Sequence, residues 1–258
     1  MTSEPPPTGP PYEPTPSPPP ATPVPYPLPP YAQPQYAPPP PSAADRLRFA
    51  WQQRPESDYY FDFWTAFGWT LLTCGFYMFY VTYQLVRRSR DHNLRRIALL
   101  EAATTVAWEK AQASGSAAEL QPNFDRIAAE LAVLQRQTTE FREPIVWTLI
   151  SLVASTIVHV IIFILLDGDL YTHDRAEGAI EHELAHIYGR LGAPVAEPDP
   201  SRLKEKHQYV MRILATVATC GIYALWWLYD VMVEGNEHFS HNWHWEDSLV
   251  ASAQQLLA

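Results

Sequence analysis

The stretch FWTAFGWTLLTCGFYMFYVTYQLV, residues 63–86, decides the predicted fold of this chain. It contains no aspartate, glutamate, lysine or arginine. A helix of about 20 apolar residues is long enough to cross a bilayer. Two more stretches, IVWTLISLVASTIVHVIIFILL (145–166) and YVMRILATVATCGIYALWWLYDVMV (209–233), have no acid or base near their middle apart from His159. A soluble helix of that length would show a charged face. The sequence therefore predicts an all-α membrane protein with three transmembrane helices.

The rest of the chain divides around these three spans by composition and periodicity. Apolar residues recur at steps of three and four on both sides of the polar segment QASGSAAELQPN, which predicts an extramembrane helical hairpin. Most of the 26 prolines lie before residue 42 and predict a disordered, extended tail that serves as a spacer or as a docking site for a proline-reading partner. The predicted segments outside the spans are a proline-rich tail (1–43), a juxtamembrane segment (44–62), the hairpin (87–144), an amphipathic helix (167–192), a linker (193–208) and a C-terminal segment with a short amphipathic helix (234–258).

Composition narrows the partners of the chain. A formal net charge of -10 leaves no basic surface for a phosphate backbone, so we expect no nucleic-acid partner. The first residues have no basic and apolar segments of a secretory signal. We expect a multi-pass protein of the cell membrane, with the lipid bilayer, further copies of itself or a membrane protein as partners. Lysine and arginine are almost equally numerous on the two sides of the predicted spans, so the orientation is undecided.

The first and third spans contain an internal repeat. TCGFYMFYVTY (73–83) and TCGIYALWWLY (219–229) share Thr, Cys, Gly and two Tyr at the same positions. Residues 219–229 resemble the T-x-G-I-Y-x-x-x-W-x-Y signature of a family of small bacterial membrane proteins, the domain of unknown function 4234. The first copy departs from it at Phe76 and Val81. The resemblance covers about a third of the chain and implies a membrane location but no activity.

Hydroxyl-bearing and aromatic residues follow one face of each predicted span. A polar side chain that faces lipid leaves its hydrogen bonds unmade, so these faces are predicted to meet as a polar seam. The second span is predicted to bring His159 to the depth of Cys74 and Cys220. His159 then has three interpretations: a hydrogen-bonded structural residue, a proton or ligand site of a small transporter or channel, or a metal ligand together with the two cysteines. The predicted seam consists of Thr73, Tyr77, Tyr80, Gln84, Thr148, Ser151, Ser155, His159, Thr219, Tyr223, Trp226 and Asp230.

The segment EHELAHIYGR (181–190) has the H-E-x-x-H order of zinc metallopeptidases. In that interpretation His182 and His186 would hold zinc, and Glu183 would be the catalytic residue. Both histidines, however, point away from the apolar stripe of their predicted helix, and the sequence that follows supplies no third histidine. We therefore favour a chance match over a structural metal site or a peptidase.

Three more histidines, His238, His241 and His244, lie beside Trp243 and Trp245 near the C-terminus. Tryptophan is typical of the headgroup level of a membrane, so an interfacial anchor is the first interpretation. The steps of three residues would also suit a weak divalent metal site on one helical face.

The sequence favours a non-enzymatic scaffold, assembly or interaction protein without a cofactor, because no catalytic constellation is complete. The competing hypotheses are a zinc-dependent membrane peptidase that uses the HELAH segment and a small transporter or channel that uses His159.

Overall fold

The computed structural model describes residues 41–139, 143–199 and 203–258. The predicted proline-rich tail lies outside the described residues except for its last three positions. The regular structure of the described part is α-helical. The helices are α1 (Ala43–Gln52), α2 (Arg54–Ser57), α3 (Phe63–Leu72), α4 (Tyr77–Ser114), α5 (Ala117–Thr139), α6 (Pro144–Val153), α7 (Ser155–Arg190), α8 (Tyr209–Ala218) and α9 (Ile222–Leu257).

The prediction of three transmembrane helices is wrong. Each predicted span is divided near its middle: the first between α3 and α4, the second at Ala154, and the third between α8 and α9. Within the described ranges, no helix is both long enough and apolar enough to cross a bilayer. This finding also overturns the expected multi-pass localisation in the cell membrane. The physical reason lies in the breaks, which an average of hydropathy along the sequence does not detect.

The repeated Thr-Cys-Gly sequence forms a tight turn between helices. Cys220 has φ 50° and Gly221 has φ 94°, so two successive residues adopt the left-handed conformation, which ends a helix. The Thr219 hydroxyl donates to the carbonyl of Ala215 at 2.7 Å and accepts from the N–H of Tyr223 at 2.9 Å, thereby joining the end of α8 to the start of α9. The first copy repeats these contacts at the α3–α4 turn, with Cys74 and Gly75 at φ 50° and 92°.

The long helices α4, α7 and α9 run parallel to one another. Contacts between α4 and α7 advance along both helices, from Thr82–His159 through Arg96–Glu177 to the hydrogen bond between Tyr188 and the carbonyl of Ala103. Contacts between α4 and α9 advance in the same way, from Arg88–Val231 to Lys110–Leu256. The ten-residue helices α3, α6 and α8 each precede a long helix and fold back along its first turns, as the 2.9 Å pair of Arg212 and Asp230 shows for α8 and α9. Three hairpins therefore have their turns at the same end of the bundle. We call this the hairpin end.

Two apolar cores lie on either side of a buried polar layer. The core at the hairpin end includes Val81, Leu85, Ile162, Trp227 and Met232. The second core joins the later parts of α4, α7 and α9 to α1 and α5, and it includes Leu99, Ala103, Ile127, Ile180, Leu184 and Leu249. Between them, residues 88–96, 173–181 and 238–246 contribute buried charged and polar side chains. The candidate site lies in this layer.

Candidate metal centre

Four buried side chains from the three parallel helices converge in the polar layer. They are His92 of α4, His173 and Glu177 of α7, and His238 of α9, and one possible ligand atom of each lies within 4.8 Å of those of the others. The Nε2 atoms of His92 and His238 are 3.2 Å apart, and Nε2 of His238 is 3.4 Å from Oε2 of Glu177. Ligands 2.0–2.1 Å from a tetrahedral zinc ion are about 3.3 Å from one another. The separations therefore match those around one such ion.

Two of the histidines are oriented by carboxylates behind them. Nδ1 of His92 lies 2.8 Å from Oδ1 of Asp58, and Nδ1 of His238 lies 3.2 Å from Oδ1 of Asp174. Burial lowers the pKa of His92 to about 3 and also lowers the pKa of His238, so both rings are neutral at pH 7. A neutral imidazole has a single N–H, which here donates to the carboxylate through Nδ1. The facing Nε2 atoms are therefore both lone-pair atoms and form no hydrogen bond with each other.

The third histidine directs an unpaired nitrogen into the same space. Nε2 of His173 is buried and has no hydrogen-bond partner among the described residues. It lies 3.6 Å from Oε1 of Glu177, and its ring centroid lies 5.3 Å from those of His92 and His238. The side-chain N–H₂ of Asn242 donates to Oε2 of Glu177 and to Nε2 of His238, both at 3.0 Å. Two amide hydrogens do not supply a partner for every acceptor in the cluster.

Buried arginines pair with the carboxylates of the layer. Nε of Arg96 donates to Glu177, and its two Nη atoms donate to Glu181 and Glu246 at 2.6 and 2.9 Å. Although burial raises the pKa of Glu177, the charge of Arg96 holds it well below its ordinary value. Arg95 links Glu246 to Asp58 at 2.8 and 2.9 Å. Glu177 is therefore an ionised carboxylate fixed from behind, the arrangement that is common for carboxylates at metal sites.

A small cavity of about 50 Å³ adjoins two of the four side chains. Its walls include His92 and His173 as well as Arg88, Asp167 and Lys204. The volume exceeds the roughly 10–15 Å³ that one water molecule requires. The cavity therefore gives a small ligand access to two of the four candidate metal ligands.

A second acidic group beside this cavity is a salt-bridge cluster. Asp167, His207 and Glu234 have ligand atoms close enough for an ion. The ammonium of Lys204, however, lies 2.7 Å from Oδ1 of Asp167 and also contacts Glu234. Since a positive charge of the chain already lies between the carboxylates, we assign no metal to this group.

Comparison with protein-family models, with curated proteins and with solved structures finds no match. The resemblance to the domain of unknown function 4234 stays a prediction.

The HELAH residues lie on the outer side of α7, away from the cluster. His182 and His186 are exposed, and Nδ1 of His182 is 3.6 Å from Oε2 of Glu197. Glu183 pairs with Arg126 at 2.8 Å and accepts from Asn123 at 2.6 Å. The structure does not place these three residues in either group of potential metal ligands found in the described ranges.

The three C-terminal histidines do not share one environment. His238 is buried in the cluster, whereas His241 and His244 are exposed and line a shallow pocket with residues 196–199. Asn242, four residues after His238, takes the inward position instead, because positions four apart share a helical face. His238 was therefore a candidate from sequence, but with partners other than those predicted.

The predicted polar seam is distributed over turns, hairpin contacts and exposed positions. Thr73 and Thr219 cap the turns described above, and Trp226 is 58% exposed. Nε2 of His159 lies 2.8 Å from the hydroxyl of Thr82, while Cys74 and Cys220 are exposed at the turns. The N–H groups of Tyr77 and Tyr223 donate to the hydroxyls of Thr73 and Thr219 at the turns. Gln84 donates to Tyr80 within α4, and Ser151 donates to the carbonyl of Thr148 within α6. Asp230 pairs with Arg212, and the side chain of Ser155 lies outside the described residues.

His92, His173 and Glu177 were not predicted from the sequence. The available signal was the spacing of His173, Glu177 and Glu181 at steps of four, which places them on one face of α7. An acidic helical face normally indicates contact with water. The arginine that pairs with this face, Arg96, is about 80 residues away in sequence.

Proposed function

We propose that this protein binds one divalent transition-metal ion, zinc, through His92, His173, Glu177 and His238. The observation that carries the proposal is that the Nε2 atoms of His92 and His238 face each other 3.2 Å apart, each in a ring whose Nδ1 lies beside a carboxylate. Two facing lone pairs repel each other, whereas a cation between them is attracted to both. Carboxylate–histidine–metal arrangements of this kind are typical of protein zinc sites.

The donor set favours zinc over magnesium and calcium. Three imidazoles and one carboxylate suit zinc and its neighbours in the first transition row, whereas magnesium and calcium prefer oxygen ligands. The separations of 3.2–3.6 Å suit a compact tetrahedral shell. Copper and iron also accept imidazole ligands. Zinc is the first ion to test because the separations match its tetrahedral shell.

The metal would join three helices that are distant in sequence. Its ligands come from α4, α7 and α9, so binding would fix these helices in register, and the adjoining cavity would let a small molecule reach the ion. The hypothesis of a non-enzymatic scaffold or interaction protein agrees with this role and stays a prediction for what the assembled helices do.

The test is the metal content of the purified full-length chain after incubation with zinc and removal of free ions. We expect about one zinc per chain in the unaltered protein and at least tenfold less in His173→Ala. His241→Ala and His186→Ala are matched controls, since both replace an exposed histidine outside the cluster. Zinc that is retained in His173→Ala and lost in His186→Ala would refute the assignment and favour the HELAH segment.

A second measurement reports the geometry. Cobalt(II) in a site of three nitrogens and one oxygen gives the intense visible absorption of a tetrahedral ion. We expect this absorption in the unaltered chain and in His241→Ala, and its loss in His238→Ala. The weak absorption of an octahedral ion in all three proteins would contradict a closed four-ligand site.

A further inference from the structure

The hairpin end exposes a large apolar surface. Apolar side chains of all three hairpins are solvent-accessible on both sides of the turns, although soluble chains rarely expose contiguous apolar patches of more than a few hundred Å². The most exposed are Val153 (90%), Leu72 (77%), Phe76 (72%), Ile222 (72%), Trp64 (71%) and Val217 (71%). A surface of this kind requires a partner.

The surface is free of charge over a nearly uniform depth. Residues 63–86, 144–166 and 213–229 contain no acidic or basic side chain other than His159. The first charged residues of the three long helices are Arg87, Asp167 and Asp230, which lie roughly 12–18 Å beyond the helix starts at 1.5 Å per residue. The uncharged depth is thus close to the thickness of one leaflet, since the hydrocarbon core of a bilayer is about 30 Å.

The backbone N–H groups of the turns form hydrogen bonds within the turns, as a lipid environment requires. The N–H groups of Cys220, Gly221 and Ile222 donate to carbonyls within the turn at 2.8–3.2 Å, and the Thr219 hydroxyl accepts the N–H of Tyr223. The α3–α4 turn has the same set of bonds. A turn in water does not need these internal hydrogen bonds, because water can replace them. An unpaired backbone group in hydrocarbon costs several kcal/mol.

Threonine hydroxyls of the hairpins are also hydrogen-bonded within their own helices. Thr70, Thr82, Thr148 and Thr216 each donate their hydroxyl to the carbonyl four residues earlier in the same helix, at 2.7–2.8 Å. Their polar atoms are thereby paired within the chain. Pairing of this kind is what an apolar environment requires of a hydroxyl group.

We propose that the three hairpin turns insert into one leaflet of a lipid bilayer and return to the same side without crossing it. The base of the hairpins, with the partly exposed Arg87 and Arg90, would then lie at the headgroup level. The polar layer and the second core remain outside the leaflet. This arrangement differs from the three crossing helices that the sequence predicted and that the helix bounds contradict.

The experiment uses the two native cysteines, which lie at two of the turns. In the full-length chain, Cys220→Ser leaves Cys74 as the only cysteine for an environment-sensitive fluorophore, and Cys74→Ser leaves Cys220. With phosphatidylcholine vesicles that carry a nitroxide deep in the acyl chains, we expect strong quenching of both labels and protection from a water-soluble quencher on either side. A label on Ala113→Cys in a cysteine-free chain, at the exposed end of α4, should show neither effect.

A charge at the turn tests the same inference by binding. Leu72→Glu should lower the affinity for phosphatidylcholine vesicles roughly a hundredfold, because a charged side chain is costly in hydrocarbon. Phe49→Glu is the matched control, since Phe49 is a 60% exposed apolar residue of α1 away from the hairpins. Retained zinc binding would show that each variant is folded.

Three outcomes would overturn the inference. The unaltered chain could fail to bind vesicles and form a defined oligomer that Leu72→Glu dissociates, which would assign the surface to a second copy. The labels could remain accessible to the water-soluble quencher in the presence of vesicles. They could also be quenched from the opposite side of the bilayer, which would mean that the hairpins cross.

Discussion

At the scale of single residues, Gly235 and Arg88 form a contact that leaves no room for a side chain. Arg88 is buried, and its Nη2 donates to the carbonyls of Val231 and Met232 at 2.8 and 3.3 Å. A Cβ on Gly235 would lie 2.4 Å from Nη2 and 2.8 Å from Cζ of Arg88. The guanidinium therefore packs directly on the backbone of α9.

We expect Gly235→Ala to lower the free energy of unfolding by about 1–3 kcal/mol, because the added methyl group displaces a buried, hydrogen-bonded arginine. Gly189→Ala is the control, since a methyl group on Gly189 of α7 would meet nothing within 4 Å beyond its own helical turn. That change should be neutral or stabilise by up to about 1 kcal/mol, as alanine is the better helix former. Urea unfolding of both variants measures the difference, and equal effects would contradict the proposed close contact.

The burial of individual charged residues could not be predicted from the sequence. Arg96, Glu177 and Glu246 belong to helices that look amphipathic, and charged helical residues usually face water. They are buried because each finds its partner on another helix, with Arg96 bonded to Glu177 and Glu246. Pairing across such sequence distances has no periodic signature. The metal-site residues that depend on this layer were missed for the same reason.

At the scale of elements, the two Thr-Cys-Gly turns and the break at Ala154 each convert one apolar run into two antiparallel helices. The hydroxyl of Thr219 donates to the carbonyl of Ala215 in α8 and accepts from the N–H of Tyr223 in α9. Thr219→Val should lower the free energy of unfolding by about 1 kcal/mol, as does the loss of other helix-capping hydroxyls. Thr105→Val is the matched control, because the Thr105 hydroxyl only donates to the carbonyl of Glu101 within α4. Thermal unfolding compares the two, and an equal loss in the control would show that the cap is unimportant.

The helical character and the apolar content of residues 63–86, 145–166 and 209–233 could be predicted from the sequence, whereas their continuity could not. The repeated Thr-Cys-Gly suggests a packing seam when the span is taken as one helix, although glycine after a polar residue is also a turn signal. Cysteine at positive φ is uncommon, so nothing in the residue types marked two consecutive left-handed positions. The break at Ala154 contains neither glycine nor proline, and no local rule predicts it.

At the scale of the whole molecule, the parallel helices α4, α7 and α9 make the metal site a product of the complete fold. The proposed ligands are residues 92, 173, 177 and 238, which the unfolded chain does not hold together. A ligand that binds only the folded state stabilises it by about 2.7 kcal/mol at a hundredfold excess over its dissociation constant. The two apolar cores enclose the layer from both sides, which implies that metal binding and bundle formation are coupled.

We therefore expect zinc to raise the free energy of unfolding of the unaltered chain by about 2–3 kcal/mol at such an excess, and a chelator to reverse the gain. His173→Ala should unfold at the same denaturant concentration with and without zinc, since it removes a proposed ligand whose Nε2 has no hydrogen-bond partner in the described chain. His241→Ala should retain the full gain, because His241 is exposed outside the cluster. Stabilisation by zinc that persists in His173→Ala would place the ion elsewhere, and the long helices would then owe their register to packing and the arginine–carboxylate network alone.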